Sequence, residues 1–282
     1  MTALAPTDTR PRLIVLPDIV QGTDDWHNQR RGMVTASVVG DLITVRRLAA
    51  IDYDCPDCRA LANEPCRSKT RAGALIKTLH ADRAELARQN TSVVFKTASN
   101  ETSRGLTALL VAERITGWTD ATFLSDDMVR GMEEEPRARD HYSEHYAPVH
   151  ETGFMIREHN GICIGYSPDG LVGADGLIEI KSRRSKIQLQ HFLTGNIPAD
   201  NMAQLQCGLL VTGRKWLDYV SYCGGMPMAV TRVHPDPRWF KAILDAVHAL
   251  EENAAEMIRI YNEATAGLPT TERVLGEMDI VF

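Results

Sequence analysis

Apolar positions recur along this chain with two periods, and each period predicts its own elements. Period two appears at Ile162 to Tyr166 and again at Leu177 to Ser182, with Gly173-Ala174-Asp175-Gly176 as a turn region before the second run. Both runs read as strands, so Glu179 and Lys181 share one face while Ile178 and Ile180 point to the other. Lys215 to Cys223 and Pro227 to Val233 alternate in the same way and extend the sheet. Helical spacing marks Ser103 to Thr116, Met128 to Tyr146, Ser185 to Leu193 and Asn201 to Thr212, the last with Leu205, Leu209 and Leu210 towards a core. Trp239 to Ala264 reads as one long amphipathic helix packed across the body. Pro136 places the start of its helix near Glu135, which makes Glu133, Glu134 and Glu135 first-turn acids.

Nearer the N-terminus the pattern predicts a short helix over Asp24 to Arg30 and a turn at Gly32. A second helix would open at Thr35 or Ala36 and run through Ile43, with Ser37 in its first turn, where free N–H groups favour an anion. Residues 1–22 read as a tail, residues 89–103 as a polar loop, and Ala74 to Arg88 as a helix carrying His80. The tail from Thr270 to Phe282 ends apolar and would dock on a neighbouring subunit; no internal repeat is evident.

A chain of 282 residues can bury a real core, as one large domain or one domain with an insertion. The division expected is 1–45 and 101–282 for the main body, with 46–100 inserted. The net charge of −6 argues against a general basic coat for nucleic acid. The cations nevertheless cluster, at Arg30-Arg31, Arg46-Arg47, Arg67 to Lys77, Arg183-Arg184 with Lys186, and Arg214-Lys215. The first residues lack the apolar core of a signal peptide and no run is long enough to span a bilayer, so a cytoplasmic protein without a membrane partner is expected. In that compartment the six cysteines read as metal ligands or buried thiols rather than disulfides.

Three groups carry chemistry. Asp169, Glu179 and Lys181 have the spacing Asp-x9-Glu-x-Lys, and a hairpin would bring the two carboxylates together. Two carboxylates suit Mg²⁺ or Mn²⁺, and the lysine would orient or activate water for phosphodiester hydrolysis. An exposed hairpin gives the same spacing, so the weight falls on the surroundings, where Glu135 offers a third acid and Gln204 an amide near the sheet. Arg30 and Ser37 could grip a phosphate, or be a surface arginine and a helix cap. Cys55-x2-Cys58, Cys66 and His80 can form a tetrahedral zinc site, closed by four ligands and therefore structural; unpaired thiols are the alternative. Cys163, Cys207 and Cys223 sit in core-like elements and read as buried thiols.

Four motifs in order resemble the lambda-exonuclease family, also called YqaJ-like viral recombinases. They are Trp26-His27-x-x-Arg30-x-Gly32-x-x-Thr35-Ala36-Ser37, Gly131-x3-Glu135-x2-Ala138-Arg139, Ser167-Pro168-Asp169-Gly170-Leu171 with Glu179-x-Lys181, and Met202-Ala203-Gln204-x-Gln206. The resemblance implies an α/β (α+β) fold with a central mixed sheet flanked by helices, a restriction-endonuclease-like, RecB-like nuclease core of the PD-(D/E)xK kind, here with a small Cys/His zinc-binding insertion. It implies Mg²⁺- or Mn²⁺-dependent digestion of linear double-stranded DNA from 5′ ends, with two ions, leaving 3′ single strands for phage-type recombination. Asp169, Glu179 and the Ile180 backbone carbonyl would hold metal, Glu135 would support a second ion, Lys181 would serve the nucleophile and Gln204 would assist. Arg30 and Ser37 would bind the terminal 5′-phosphate, with Ser167 joining them. A trimeric ring around DNA, a single-strand annealing partner and a phage or prophage origin are implied too. The long cysteine-bearing segment departs from the simplest members and bears on ring geometry and DNA entry. The rival readings are a RecB-like single-strand nuclease, an endonuclease, and a non-catalytic DNA-binding zinc module.

Overall fold

The computed structural model describes residues 10–71, 73–90, 92–120 and 124–273. In chain order the elements begin with β1 (Arg12–Leu16), α1 (Asp24–Arg30), β2 (Val34–Thr35), a 3-10 turn over Val39–Leu42, and β3 (Ile43–Arg47). Then come α2 (Ala81–Gln89), β4 (Val93–Thr97), α3 (Glu101–Thr116), α4 (Asp126–His145), β5 (Val149–His150), β6 (Phe154–His159) and β7 (Ile162–Tyr166). β8 (Gly170–Val172), β9 (Gly176–Ser182), α5 (Ser185–Thr194), α6 (Ala199–Thr212), β10 (Trp216–Tyr222), β11 (Ala229–Val233) and α7 (Pro237–Ala264) complete it.

The expected mixed sheet is present, in the order β11-β10-β9-β8-β5. β9 and β10 run parallel and the other pairs antiparallel. The parallel step needs a long crossover, and α5 and α6 supply it. β9 is buried on both faces. Leu177 joins the main core with Leu205 and Leu209 of α6 and Ile243 and Val247 of α7, whereas Ile178 and Ile180 pack on Ala138 and Tyr142 of α4. Each of the leucine, isoleucine and valine side chains among them contributes about 1.5–3 kcal/mol by its burial. A second sheet, β1-β6-β7-β2, also packs against α6, and β3 pairs with β4 in a separate two-stranded ribbon among the described residues. Phe95 of β4 stacks edge-on against Trp239 of α7, which anchors that ribbon to the body. No helix among the described residues is long and apolar enough to cross a membrane.

Several expectations need correction. Ile162–Tyr166 and Gly176–Ser182 do not form one hairpin: β7 pairs with β6 and β2, and the partner of β9 is the short β8, which directly follows Asp169. Residues 36–43 are not an α-helix. The β-branched Val34, Thr35, Val38 and Val39 favour extended or tight backbone, and the Ala36 N–H is held by the Gly165 carbonyl. α4 begins at Asp126, capped by Ser125, and runs through Pro136. Burial of Ala138 and Tyr142 outweighs the one hydrogen bond that proline removes, so Glu133–Glu135 are mid-helix rather than first-turn acids. His80 precedes α2 as its N-cap residue instead of riding within a helix. Val93-Val94-Phe95 builds β4 where a loop was expected, and Arg12–Leu16, assigned to a tail, pairs with β6. Cys207 and Cys223 are buried as read, and burial pushes the Cys207 thiol up to about 12; Cys163 is half-buried. Most of the tail expected to dock lies at 274–282, outside the described residues.

Candidate active site and metal centre

Where β7, β8 and β9 meet, Asp169 and Glu179 converge. Asp169 precedes β8, and its Oδ2 accepts the Ile180 N–H at 2.6 Å. Glu179 is only 1 % exposed, on the face of β9 turned towards α6. Its Oε1 accepts from Lys181 Nζ at 2.8 Å and from Gln204 Nε2 at 2.5 Å, and its Oε2 accepts from Tyr166 Oη at 3.0 Å. Gln204 therefore serves the carboxylate rather than the lysine, while Gln206 binds the His234 carbonyl and the Asp236 N–H away from the site. Tyr166 was missed by sequence reasoning. It stands directly before the Ser-Pro-Asp motif, and α6 reaches it only through Gly208, where a Cβ would come within 2.8 Å of the ring.

Glu135 faces this cluster from α4. Arg139, one turn on, donates to Glu135 and also to the Asp169 carbonyl, tying helix to hairpin. Burial, then the charges of Glu179 and Glu135, hold the Asp169 carboxyl well above the usual carboxylate range. Burial raises Glu135 as well, with the Glu179 charge adding to it. Burial alone would lower Lys181, but the Glu179 and Asp169 charges outweigh it and hold it above its ordinary value. Three crowded carboxylates face two cations, Lys181 and Arg139, which leaves a hard oxygen donor set one positive charge short, and that set fits Mg²⁺ or Mn²⁺.

A second cluster adjoins the first. Arg30, at the end of α1, donates to Ser37 Oγ at 3.1 Å and Thr35 Oγ1 at 3.3 Å, and its guanidinium lies 3.9 Å over the Trp26 ring. Trp26 Nε1 donates in turn to Ser167 Oγ at 2.8 Å, so Arg30, Ser37 and Ser167 are brought together, with Trp26 and Thr35 as the linking residues. Burial lowers the Arg30 pKa to about 10 against the opposing pull of Glu113. The turn behind it is clamped by α3: Glu113 accepts the Gly32 N–H at 2.6 Å, and Arg114 donates to the Gly32 carbonyl at 2.7 Å. Gly32 needs φ +67° there, a conformation open to glycine. The helix N-terminus expected at Ser37 is absent, so side chains rather than a helix dipole line this cluster. The two clusters are linked through the chain itself, because Ser167 stands two residues before Asp169, while a cavity of about 300 Å³ touches Ser37 and Gln204 and runs towards Asp41, Val45 and Trp239.

Away from both, Cys55, Cys58, Cys66 and His80 place their ligand atoms within 4.8 Å of one another, and Cys55 Sγ lies 3.3 Å from His80 Nδ1. The Arg67 N–H, bonded to its sulfur, is the main cause pulling the Cys58 thiol down to about 6, towards the thiolate a metal needs. Three sulfurs and one imidazole fit tetrahedral zinc. Among the described residues, Ala60, Ile76 and Leu79 form a small apolar cluster with the cysteines.

Comparisons with known proteins bear on the family and the fold. The model of a phage zinc finger domain, for which DNA binding has been proposed, matches residues 21–98. No curated protein sequence matches the chain. Among solved structures, the alkaline exonuclease LHK-Exo from Laribacter hongkongensis is similar, with 26 % identity and a TM-score of 0.62 over 88 % of this chain and 100 % of that one. The same enzyme in complex with dAMP matches equally well, at 26 % identity and TM-score 0.62, with 88 % and 100 % of the two chains covered. The model of the YqaJ-like viral recombinase domain matches residues 70–215, just over half of the 282 residues, and spans Glu135, Asp169, Glu179, Lys181 and Gln204. On that match, and with those side chains gathered at one site, the chain belongs to the YqaJ-like viral recombinase family.

Proposed function

We propose that this protein is a metal-dependent DNA exonuclease that degrades linear duplexes from 5′ ends and leaves 3′ single strands for recombination. The observation that carries the reading is the adjacency of two clusters, a carboxylate set at Asp169 and Glu179 and a polar pocket at Arg30 and Ser37, linked by the Trp26–Ser167 hydrogen bond two residues ahead of Asp169. A pocket that recognises a terminal 5′-phosphate serves an exonuclease, whereas an endonuclease meets no chain end.

Asp169, Glu179 and the Ile180 carbonyl would hold one Mg²⁺ or Mn²⁺, and Glu135 would support a second. Such ions supply Lewis-acid stabilisation of the phosphodiester and a more acidic water. The chain's own groups do the rest. Tyr166 and Gln204 fix both oxygens of Glu179, so its carboxylate presents one orientation. Lys181 places a cation beside the reacting phosphate and orients the attacking water. Arg30, held flat on Trp26, pairs with the terminal 5′-phosphate in fork geometry, while Ser37 and Ser167 add hydroxyl donors. Burial makes that pairing stronger than at a surface.

In the same reading, residues 46–100 are an inserted zinc module between the two parts of the nuclease body, 1–45 and 101–282. The isolated pairing of β3 with β4 supports this division. The basic residues of the module, Arg67 to Lys77, supply a further DNA contact. A ring of three copies around the duplex, an annealing partner, and work in the host cytoplasm belong to the proposal through the family resemblance.

The test is digestion of linear and closed circular duplexes of one sequence with Mg²⁺ or Mn²⁺, beside Asp169→Ala. Loss of the linear form alone, absent in the variant, supports the reading. Cleavage of the circle overturns the exonuclease part, and no cleavage by the wild type with either ion overturns the whole.

A further inference from the structure

Arg83 is 0 % exposed and is the largest fully buried side chain of the described residues. All five of its N–H groups are used. Nε donates to the Tyr53 carbonyl at 2.7 Å, and Nη1 to the Glu64 carbonyl at 2.8 Å and to Cys66 Sγ at 3.4 Å. Nη2 donates to the carbonyls of Ile51 at 3.0 Å and Leu61 at 2.9 Å. Among the described residues, no carboxylate forms an ion pair with it. A guanidinium cannot shed its proton as a buried lysine can, and a buried charge without a counter-charge is costly. The acceptors satisfy its hydrogen bonds but leave its charge unbalanced.

The balancing charge lies at the metal cluster. Zinc held by three thiolates and a neutral imidazole carries one negative charge in excess. Arg83 touches one of those sulfurs, and it follows His80 by three residues, so the first turn of α2 delivers a ligand and a cation to the same point. The carbonyls it collects are spread around the cysteines, with Ile51 and Tyr53 ahead of Cys55, and Leu61 and Glu64 between Cys58 and Cys66. With so few apolar residues, the module uses this side chain as its core.

The geometry points to Arg83 as the positioning residue and counter-charge of the zinc centre: it orients Cys66, draws the loop around the ion, and ties burial of the guanidinium to metal loading. The inference rests on the zinc reading of the cluster and adds an outer partner to it. Outer partners of this kind are worth about 10–100-fold in metal affinity.

The experiment uses the full chain, as wild type, Arg83→Lys and Arg83→Gln, with zinc affinity measured by competition against a chromophoric chelator. Cobalt(II) loading reads the sulfur directly. The expected result is affinity lowered about 10–100-fold in Arg83→Gln and less in Arg83→Lys, which keeps the charge and loses the fork. The thiolate-to-cobalt charge-transfer band should move in both, because the hydrogen bond to Cys66 changes. A merely structural role would leave that band in place, and an unmoved band or unchanged affinity overturns the inference. Should Arg83→Gln fail to fold, Arg83→Lys carries the test alone. A wild type that takes up neither ion overturns the zinc reading and this inference together.

Discussion

The two metal-seeking regions of this molecule are built in opposite ways. The Asp169–Glu179 site is carried on strands whose Ile178, Ile180 and Leu177 are locked between two apolar clusters, so the fold exists first and gathers the carboxylates. The Cys/His module has a small apolar core, Ala60, Ile76 and Leu79, packed around sulfur, imidazole and one buried arginine, so the ion would make the fold. One centre gathers more carboxylates than cations; the other encloses a cation, Arg83, with no carboxylate paired to it among the described residues. A site that does chemistry is placed where loss of metal leaves it standing, and a site that only holds shape can be the shape itself.

Chelating zinc, or replacing Cys66 by Ser, should have the largest effect. The metal's free energy in comparable small folds is about 10–16 kcal/mol. Amide exchange over residues 50–90 should lose its protection while α6 and α7 keep theirs. Equal loss in both regions would erase the contrast. Next comes Asp169→Ala, expected to reduce DNA hydrolysis roughly a thousand-fold, about 4 kcal/mol of transition-state stabilisation. Zinc content and the thermal midpoint should stay near wild type, because the hairpin is held by its apolar neighbours. A collapse of the midpoint would show that this site, too, holds the fold.

How much of this was legible in the sequence differs between the same two regions. The Asp169, Glu179 and Lys181 set reads directly because a strand's period of two and the spacing Asp-x9-Glu-x-Lys are local, while Glu135 and Gln204 appeared as a nearby acid and amide that the resemblance joined to it. The partner of β9 was misassigned because β8 is only three residues long and carries two of them, Leu171 and Val172, as its apolar signal. Tyr166 and Trp26 escaped because their roles are long-range: one reaches Glu179 across a sheet boundary, the other reaches Ser167 across 141 residues. The zinc ligands were visible as a Cys-x2-Cys pattern, whereas Arg83 looks in sequence like any charged position on a surface helix, and nothing local tells of its burial.

Two smaller effects sharpen the account of the catalytic region. Arg30→Ala should weaken discrimination for a phosphorylated 5′ end by about 1.5–3 kcal/mol, the range of hydrogen bonds to charged groups, seen as a rise in KM for that end with internal controls unchanged. Tyr166→Phe removes one hydrogen bond to Glu179, about 1 kcal/mol. It should lower kcat several-fold at unchanged zinc content, and a wild-type kcat would show that Gln204 and Lys181 orient the carboxylate without it.

The most direct measurement compares nucleotide release from linear duplexes bearing 5′-phosphate or 5′-hydroxyl ends, with Mg²⁺, alongside Lys181→Ala. The account predicts faster release from the phosphorylated end by the wild type and none by the variant. Equal rates from both ends, or release that persists in Lys181→Ala, would contradict it.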